Sequence, residues 1–206
     1  MSQARKHIKS STYGSRIQFH TLDPLDYLSL NPNARFSAVV LSHSLWYFAS
    51  QDIILATFQA LSKVSPTLCV AEYGFSSSLP EQIPHVLAAH GLALNFSMMS
   101  EQQREASTPN IRCAATPKEI KCLAEQAGFV VESEGKMIPA KGLLDGSWEV
   151  KLFMHQRFEE EVKRNLGDEP ARRVLAYKSR VKQSLDAVGG EGERTMDVWW
   201  ANMTKL

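Results

Sequence analysis

The amino-acid sequence predicts an α/β fold in which helices cover a mainly parallel β-sheet. Short apolar runs alternate along its 206 residues with longer segments whose apolar side chains recur at helical spacing. Residues 36–41 (FSAVVL) are close to continuously apolar, which is typical of a strand with helices on both faces. Thr67–Tyr73 (TLCVAEY) follows one helical segment later, so the two strands fit a strand–helix–strand unit.

The charge and cysteine content exclude several classes of protein. The 23 Lys and Arg residues nearly cancel the 22 Asp and Glu residues, so the chain lacks the basic surplus typical of nucleic-acid-binding proteins. No apolar run approaches the roughly 20 residues of a membrane span, and the N-terminus has no apolar signal core. The three widely spaced cysteines predict reduced thiols and no metal site. We therefore expect a cytoplasmic globular protein that binds neither nucleic acid nor membranes.

Three further segments are predicted strands. Residues 16–20 (RIQFH) form the first of them, and the tripeptide LDP at residues 22–24 ends it because proline cannot donate to a strand ladder. A turn or short helix through residues 26–28 follows. Phe129–Met137 (FVVESEGKM) and residues 195–203 (TMDVWWANM) form the last two strands.

Five segments carry apolar residues at helical spacing and are predicted helices. They are residues 51–63 after a capping Ser50, residues 79–104, residues 117–127, residues 148–166 and residues 170–188. Gly91 lies within the second helix and marks a break or a weak point there. The outward faces of the last two helices are dense in Glu, Lys and Arg, which is typical of solvated surface.

The start of the third predicted helix carries the clearest local signal in the chain. Thr116 is at the N-cap, Pro117 at the first helical position and Glu119 at the third, which together form a capping box. Gly128 follows the last helical residue, where a left-handed backbone is expected. Both ends of this helix are therefore predicted from local sequence.

Three short motifs recur in an order that points to a known family. SHSLWYF at residues 42–48 follows Phe36, NIR occupies residues 110–112, and DGSWEV occupies residues 145–150. These motifs resemble those of a group of fungal methyltransferase-domain proteins. The order of strands and helices also resembles that of class I S-adenosylmethionine (SAM)-dependent methyltransferases, whose antiparallel last strand is inserted beside the sixth. The resemblance covers about residues 13–203.

The resemblance implies a single methyltransferase-like domain over residues 1–206. In it, residues 13–137 form the core sheet with its helices, residues 138–192 a helical insertion, and residues 193–206 the final strand. The family binds SAM with a Gly-rich turn after its first strand, but residues 13–16 (YGSR) contain one Gly after no predicted strand. We therefore expect a Rossmann-like class I methyltransferase sheet that is N-terminally truncated, with its first two strands missing, and impaired SAM binding.

The resemblance also implies which residues contact the cofactor. They are Leu22, Asp23, Pro24, Leu41, Ser42 and His43. Asp23 accepts from the adenine amino group in this interpretation, although Asp-Pro is also a common start of a turn. His43 lies at the carboxyl end of a strand, the edge where α/β sheets bind ligands, and it is the candidate general base. The alternative for His43 is a helix cap or a core histidine satisfied by a backbone carbonyl.

Five residues are expected to line a substrate pocket: Trp46, Tyr47, Glu72, Arg112 and Trp148. Glu72 ends a strand and can orient an amine or a hydroxyl, although acidic strand ends are commonly solvated. Arg112 can pair with a carboxylate and Trp148 can stack on a ring or a cation, or both can simply anchor helices. Trp46 and Tyr47 have core packing against the following helix as their alternative.

Two functions from different classes fit these observations. The first is SAM-dependent methyl transfer to an O, N or C atom of a small molecule, carried out by the complete form of the protein. The second is a non-catalytic methyltransferase-like pseudoenzyme or subunit that associates with itself or another chain through an exposed sheet edge. A nicotinamide-dependent oxidoreductase is disfavoured because the sequence has no G-x-G-x-x-G turn.

Overall fold

The computed structural model describes residues 2–107, 109–189 and 192–206, which form two compact units. The first ends at Ala34 and the second begins at Arg35. None of the described helices is long and apolar enough to cross a membrane. The division of residues 1–206 as one methyltransferase-like domain stays a prediction.

The first unit is helical. It contains α1 (Ser2–Lys9), a 3₁₀ turn (Gly14–Arg16) and α2 (Pro24–Leu30). Asp23 caps α2, because its Oδ1 accepts from the Leu25 N–H at 2.8 Å. Of the turn or short helix predicted through residues 26–28, the helix is confirmed.

The strand predicted at residues 16–20 is wrong. Arg16 belongs to the 3₁₀ turn, residues 17–20 have no regular structure, and no described strand falls within residues 2–34. A strand persists only where a neighbour supplies its hydrogen bonds, and local apolar content does not supply that neighbour.

The second unit is built on a four-stranded sheet, counted over the described residues. Its strands are β1 (Val39–Ser42), β2 (Thr67–Tyr73), β3 (Phe129–Met137) and β4 (Val198–Lys205), in the spatial order β1-β2-β4-β3. β1 and β2 are parallel, whereas β4 is antiparallel to both of its neighbours. The predicted insertion of an antiparallel last strand beside the preceding one is confirmed.

β1 is shorter and more exposed than its sequence predicts. It begins at Val39 rather than Phe36, and the Val40 side chain is 65% exposed. The expectation that helices cover both faces of this strand is therefore wrong for Val40. Phe36 instead donates its backbone N–H to the Val64 carbonyl at 2.9 Å, ahead of the strand.

The helices of the second unit match most of the predicted segments. They are α3 (Gln51–Ser62), α4 (Ile83–Met98), α5 (Glu101–Glu105), α6 (Pro117–Gln126), α7 (Asp145–Met154), α8 (Gln156–Asn165) and α9 (Asp168–Ala187). The predicted capping box of α6 is confirmed, since Glu119 accepts from the Thr116 N–H at 2.8 Å and Thr116 accepts from Glu119 in return. Gly128 has the predicted left-handed backbone, with φ of 86°.

Two predicted helices are each divided in the structure. The segment 79–104 divides into α4 and α5 at Ser100, whose side chain caps α5 in a capping box with Gln103. The segment 148–166 divides into α7 and α8 at His155, whose extended backbone ends one helix while its Nδ1 caps the next. These caps were missed because helical spacing continues across both divisions.

Gly91 lies in the uninterrupted middle of α4, so of the two predicted alternatives, a break or a weak point, the break is wrong. A Cβ atom at this position would come within 2.3 Å of the Phe153 ring of α7. Phe153 is completely buried, and its ring occupies the space that any larger residue would need. Gly91 is therefore required for the close approach of α7, which carries part of the candidate site.

The loop after β2 is fixed by Asp197, which is completely buried just before β4. Its carboxylate accepts from Ser76 Oγ at 3.2 Å and from Ser78 Oγ at 2.8 Å, and it pairs with Lys136 Nζ at 3.1 Å. Its backbone carbonyl accepts from the Gly74 N–H at 2.8 Å. This one residue thus joins the loop at residues 74–78 to the last strand.

We expect Gly91→Ala to destabilise the fold by about 1–3 kcal/mol, because the methyl group overpacks a filled interface. Alanine is the better helix former, so helix propensity alone predicts the opposite sign. Gly142→Ala is the control, since a Cβ there meets nothing within 4 Å. Chemical denaturation measures both variants. Adding Phe153→Leu to Gly91→Ala should restore part of the loss, and equal stability of the two single variants would contradict the role of Gly91.

We expect Asp197→Asn to reduce the free energy of unfolding at pH 7 by about 1–3 kcal/mol. Burial raises the pKa of Asp197, but hydrogen bonds from Ser78 and Lys136 outweigh it, so the pKa is lowered on balance. Since an unfolded Asp titrates near about 3.9, this stabilisation is present above that pH and decreases as the pH falls through the folded value. Below pH 4 the melting temperature of the wild type should therefore fall more steeply with decreasing pH than that of the variant. Parallel pH profiles would contradict this role.

Candidate active site

The candidate site is a cavity of about 150 Å³ at the carboxyl ends of β1 and β2. These strands run parallel with Ser42 opposite Ala71, so both end at the same edge of the sheet, where α/β proteins bind ligands. Nine residues line the cavity: His43, Trp46, Tyr47, Glu72, Tyr73, Asn110, Asp145, Trp148 and Glu149. Five of the predicted site residues are therefore brought together.

His43 follows β1 in an uncommon backbone conformation. Its N–H donates to the Ala71 carbonyl at 2.8 Å, and its φ of 47° lies in the left-handed region that a non-glycine residue rarely adopts. The chain turns here, so that the imidazole packs against the Tyr73 ring at a centroid distance of 4.5 Å. Strained positions of this kind cluster at functional sites. The His43 side chain is partly exposed and available to a ligand.

Glu72 fixes the segment that follows β1. Its side chain is 1% exposed, Oε2 accepts from the Leu45 N–H at 2.9 Å, and Oε1 accepts from the Tyr73 N–H at 3.0 Å. His43 Nδ1 lies 3.6 Å from the same Oε1, which is beyond hydrogen-bond distance. The two N–H donors satisfy this buried charge. The contacts observed for Glu72 are therefore structural, and its predicted contact with a substrate stays a prediction.

The aromatic residues differ in how far they are exposed. Trp46 is buried and packs against Tyr73 and Phe75, whereas Tyr47 is mostly exposed at the cavity. Partial burial raises the pKa of Tyr47, and the negative charges of nearby Glu149, Asp145 and Glu72 raise it further. The Tyr47 hydroxyl therefore stays a neutral hydrogen-bond donor at physiological pH.

Helix α7 supplies Asp145, Trp148 and Glu149 from one face, because residues three and four apart lie side by side on a helix. Asp145 Oδ2 accepts from the Tyr73 hydroxyl at 2.5 Å, and Glu149 Oε2 lies 2.7 Å from His85 Nε2. Trp148 is 63% exposed, which is unusual for so large an apolar surface. The first turn of α7 thus carries two carboxylates and an aromatic ring to the cavity.

The other predicted site residues lie outside the cavity lining. Arg112 donates its backbone N–H to the Trp46 carbonyl at 2.8 Å, but it is the neighbouring Asn110 that lines the cavity. Leu41 and Ser42 are the last two residues of β1, beside His43. The segment 22–24 belongs to the first unit, where Asp23 serves as the helix cap. Its predicted role towards adenine stays a prediction.

Sequence reasoning missed several residues of this site. Asp145, Glu149 and Asn110 lie inside the motifs DGSWEV and NIR, so helical spacing within the first motif was the available signal. Tyr73 ends β2 beside the predicted Glu72. His85 supports the cavity from α4, more than 60 residues from Glu149, and no sequence signal connects the two.

The comparisons with known proteins identify relatives of the chain. No family model matches it. Methyltransferase phomM and methyltransferase phomM′ of Diaporthe leptostromiformis are 31% and 30% identical to it, and each alignment covers 100% of this chain. The chain spans 61% of the length of either relative. Both relatives are named methyltransferases, which is the kind of enzyme that the sequence motifs resemble.

A solved structure identifies the fold. The cyclopropane-fatty-acyl-phospholipid synthase-like protein of Lactobacillus casei superposes with a TM-score of 0.80 at 24% identity, over 98% of this chain and 68% of that one. The chain therefore has the class I methyltransferase fold. Antiparallel β4 lies beside β3, as the resemblance predicted, and the truncation of the sheet stays a prediction.

The end of β1 carries residues that the resemblance assigns to SAM binding, and that role stays a prediction. Ser44 Oγ and His43 Nδ1 are buried there and have no hydrogen-bond partner among the described residues. Leu41 and Ser42 present the strand end itself. The sequence has no Gly-rich turn directly after a strand, through which bare backbone could approach the cofactor, because its run GGEG at residues 189–192 follows α9. The fit is therefore partial.

We expect Glu72→Gln to destabilise the protein by about 1–3 kcal/mol, because the new amide group faces a backbone N–H donor and leaves it unsatisfied. The control is Glu161→Gln, in an exposed pair with Arg157, for which we expect less than about 1 kcal/mol. Thermal unfolding compares the two. If both variants unfold alike, Glu72 does not organise the site.

Proposed function

We propose that the protein is a SAM-dependent methyltransferase that acts on a small molecule through an O, N or C acceptor atom. The observation that carries the proposal is the cavity at the carboxyl ends of β1 and β2, lined by His43, in a chain related to proteins named methyltransferases. The methyltransferase fold supports it further. SAM supplies an activated methyl group when bound, so the chain's own task is mainly to align the acceptor.

The described residues supply alignment and one candidate proton acceptor. Trp148 and Tyr47 offer aromatic surface to a small acceptor, and Tyr47 donates a hydrogen bond. His43 is exposed enough to take the proton from an acceptor hydroxyl, which is required only for that class of acceptor. Leu41, Ser42 and His43 would hold the methionine part of SAM.

We also propose that the affinity of residues 1–206 for SAM is low. The reason is the sequence itself, in which no Gly-rich turn directly follows a strand to bring bare backbone to the cofactor. A partial site gives weak binding, because the entropy lost on binding is offset by fewer contacts.

Titration with S-adenosylhomocysteine, followed by NMR of the backbone amides, tests both proposals. We expect a dissociation constant on the order of 1 mM, with shifts concentrated at residues 41–44. Micromolar affinity would contradict the weak-binding proposal while supporting the function. No shifts at any attainable concentration, or shifts confined to other surfaces, would contradict the SAM site.

A second candidate function is a non-catalytic subunit that associates through β1. In the described sheet only β2 pairs with β1, so the other edge of β1 offers unpaired backbone groups to a strand of a second molecule, and Val40 adds exposed apolar surface.

Sedimentation analysis distinguishes this candidate from the first. The subunit role predicts a self-associated species that Val40→Lys abolishes, because lysine on an edge strand opposes pairing. A monomer at all concentrations would remove self-association from consideration. If the protein is instead an enzyme that acts as a single chain, we expect a monomer that binds S-adenosylhomocysteine.

A further inference from the structure

We propose that the cavity binds a protonated amine between Asp145 and Glu149, with Tyr73 and His85 as positioning residues that hold the two carboxylates. This inference rests on the proposed function, since it names the chemical class of the molecule that occupies the same cavity. The amine is a recognition group. A protonated nitrogen has no lone pair, so the methyl group goes to another atom of that molecule.

The two carboxylates are placed by a helix whose start is fixed. Asp145 and Glu149 lie four residues apart on α7 and share its cavity face. The Gly146 N–H donates to Thr195 Oγ1 at 3.0 Å, and a Cβ atom at Gly146 would lie 2.7 Å from Thr195 Cα. This contact between α7 and the chain before β4 leaves little room for the helix to move.

Each carboxylate is held by a neutral donor. The Tyr73 hydroxyl donates to Asp145 Oδ2. Burial raises the pKa of Tyr73, and this hydrogen bond and the nearby negative charges raise it further, so the phenol keeps its proton. His85 is completely buried, and its Nδ1 accepts from the Met196 N–H at 2.9 Å. Its proton must therefore be on Nε2, which donates to Glu149.

Neutral donors orient the carboxylates without cancelling their charge. Among the nine residues that line the cavity, Glu72, Asp145 and Glu149 are acidic, His43 is the one histidine, and there is no Lys or Arg. Glu72 is satisfied by two backbone N–H groups. Asp145 and Glu149 each have a second oxygen able to accept from a ligand. A cation in the cavity relieves the repulsion between these charges.

The aromatic walls suit the same ligand. Trp148 and Tyr47 are 63% and 54% exposed beside the carboxylates, and the faces of such rings attract ammonium groups. An organic cation fits better than a metal ion, since no three His, Cys, Asp or Glu side chains in the described part of the chain are grouped to hold a metal.

Trp46 gives an independent indication that the cavity takes a polar ligand. It lines the cavity, is 3% exposed, and its indole Nε1 has no acceptor among the described residues. A buried donor without a partner is rare in folded proteins. We infer that the bound molecule also carries an oxygen acceptor for this N–H.

The test compares two ligands of similar shape in the absence of SAM. Phenethylammonium is charged at pH 7, whereas 2-phenylethanol is neutral and keeps the ring. We expect the amine to bind at least about tenfold more tightly by calorimetry, since hydrogen bonds to charged groups are the stronger ones. Equal affinities, or no saturable amine binding, would overturn the proposal. Because SAM is absent, the result does not depend on the S-adenosylhomocysteine titration.

Variants then locate the binding. Asp145→Asn and Glu149→Gln should each weaken amine binding about tenfold and leave the alcohol unchanged, because each removes one negative charge. Glu160→Gln, on the exposed side of α8, is the matched control and should change neither affinity. Unchanged amine affinity in both cavity variants would place the amine elsewhere and overturn the site.

The positioning residues have a readout that general destabilisation would not produce. Tyr73→Phe should weaken amine binding about threefold without affecting the alcohol, because it removes only the donor to Asp145. His85→Leu should act in the same way and His85→Gln, which retains an N–H donor, should recover the affinity. Equal losses of affinity for the amine and the alcohol would show that these residues only pack against the site and do not position the carboxylates.

Salt dependence needs no variant and applies even if a substitution prevents folding. Amine binding should weaken severalfold between low salt and about 0.5 M, because salt screens the attraction between exposed charges. Binding of 2-phenylethanol should not weaken. Amine binding that is independent of salt would contradict a binding site formed by Asp145 and Glu149.

Discussion

The candidate site depends on one buried carboxylate at the end of β2. Glu72 accepts the N–H groups of Leu45 and Tyr73, and it is the negative charge of the side chain that makes both contacts strong. The chain after β1 must turn sharply at His43 to bring Leu45 to that carboxylate. The same turn at His43 also places Trp46 and Tyr47 at the cavity. A single acidic residue therefore joins the ends of two parallel strands into one surface.

Each acidic residue around the cavity accepts a hydrogen bond from a neutral donor. Backbone N–H groups fix Glu72, a tyrosine hydroxyl fixes Asp145, and a neutral imidazole fixes Glu149. None of these donors carries a positive charge, so the cavity remains anionic while its geometry is rigid. Preorganised charge of this kind costs stability in the free protein and is recovered when a complementary ligand binds.

Local chemistry was predictable from sequence, whereas pairing across the chain was not. The capping box at Thr116 and the left-handed Gly128 require only neighbouring residues, and both are present. The family resemblance supplied the sheet order and placed Trp148 and His43 at one site. Residues 16–20 failed as a strand because a strand needs a partner, and His85 was missed because its link to Glu149 exists only in the folded molecule. Gly91 was misjudged for the same reason, since Phe153 decides its role.

Hydrogen exchange of individual backbone amides tests the organising role of Glu72 most directly. In the native protein the Leu45 and Tyr73 N–H groups should exchange as slowly as Val70 in the middle of β2, although Leu45 lies outside the strand ladder. Exchange of the Leu45 amide at the rate of an exposed loop would show that the carboxylate does not hold it, and the cavity would then lack the constraint on which its shape depends.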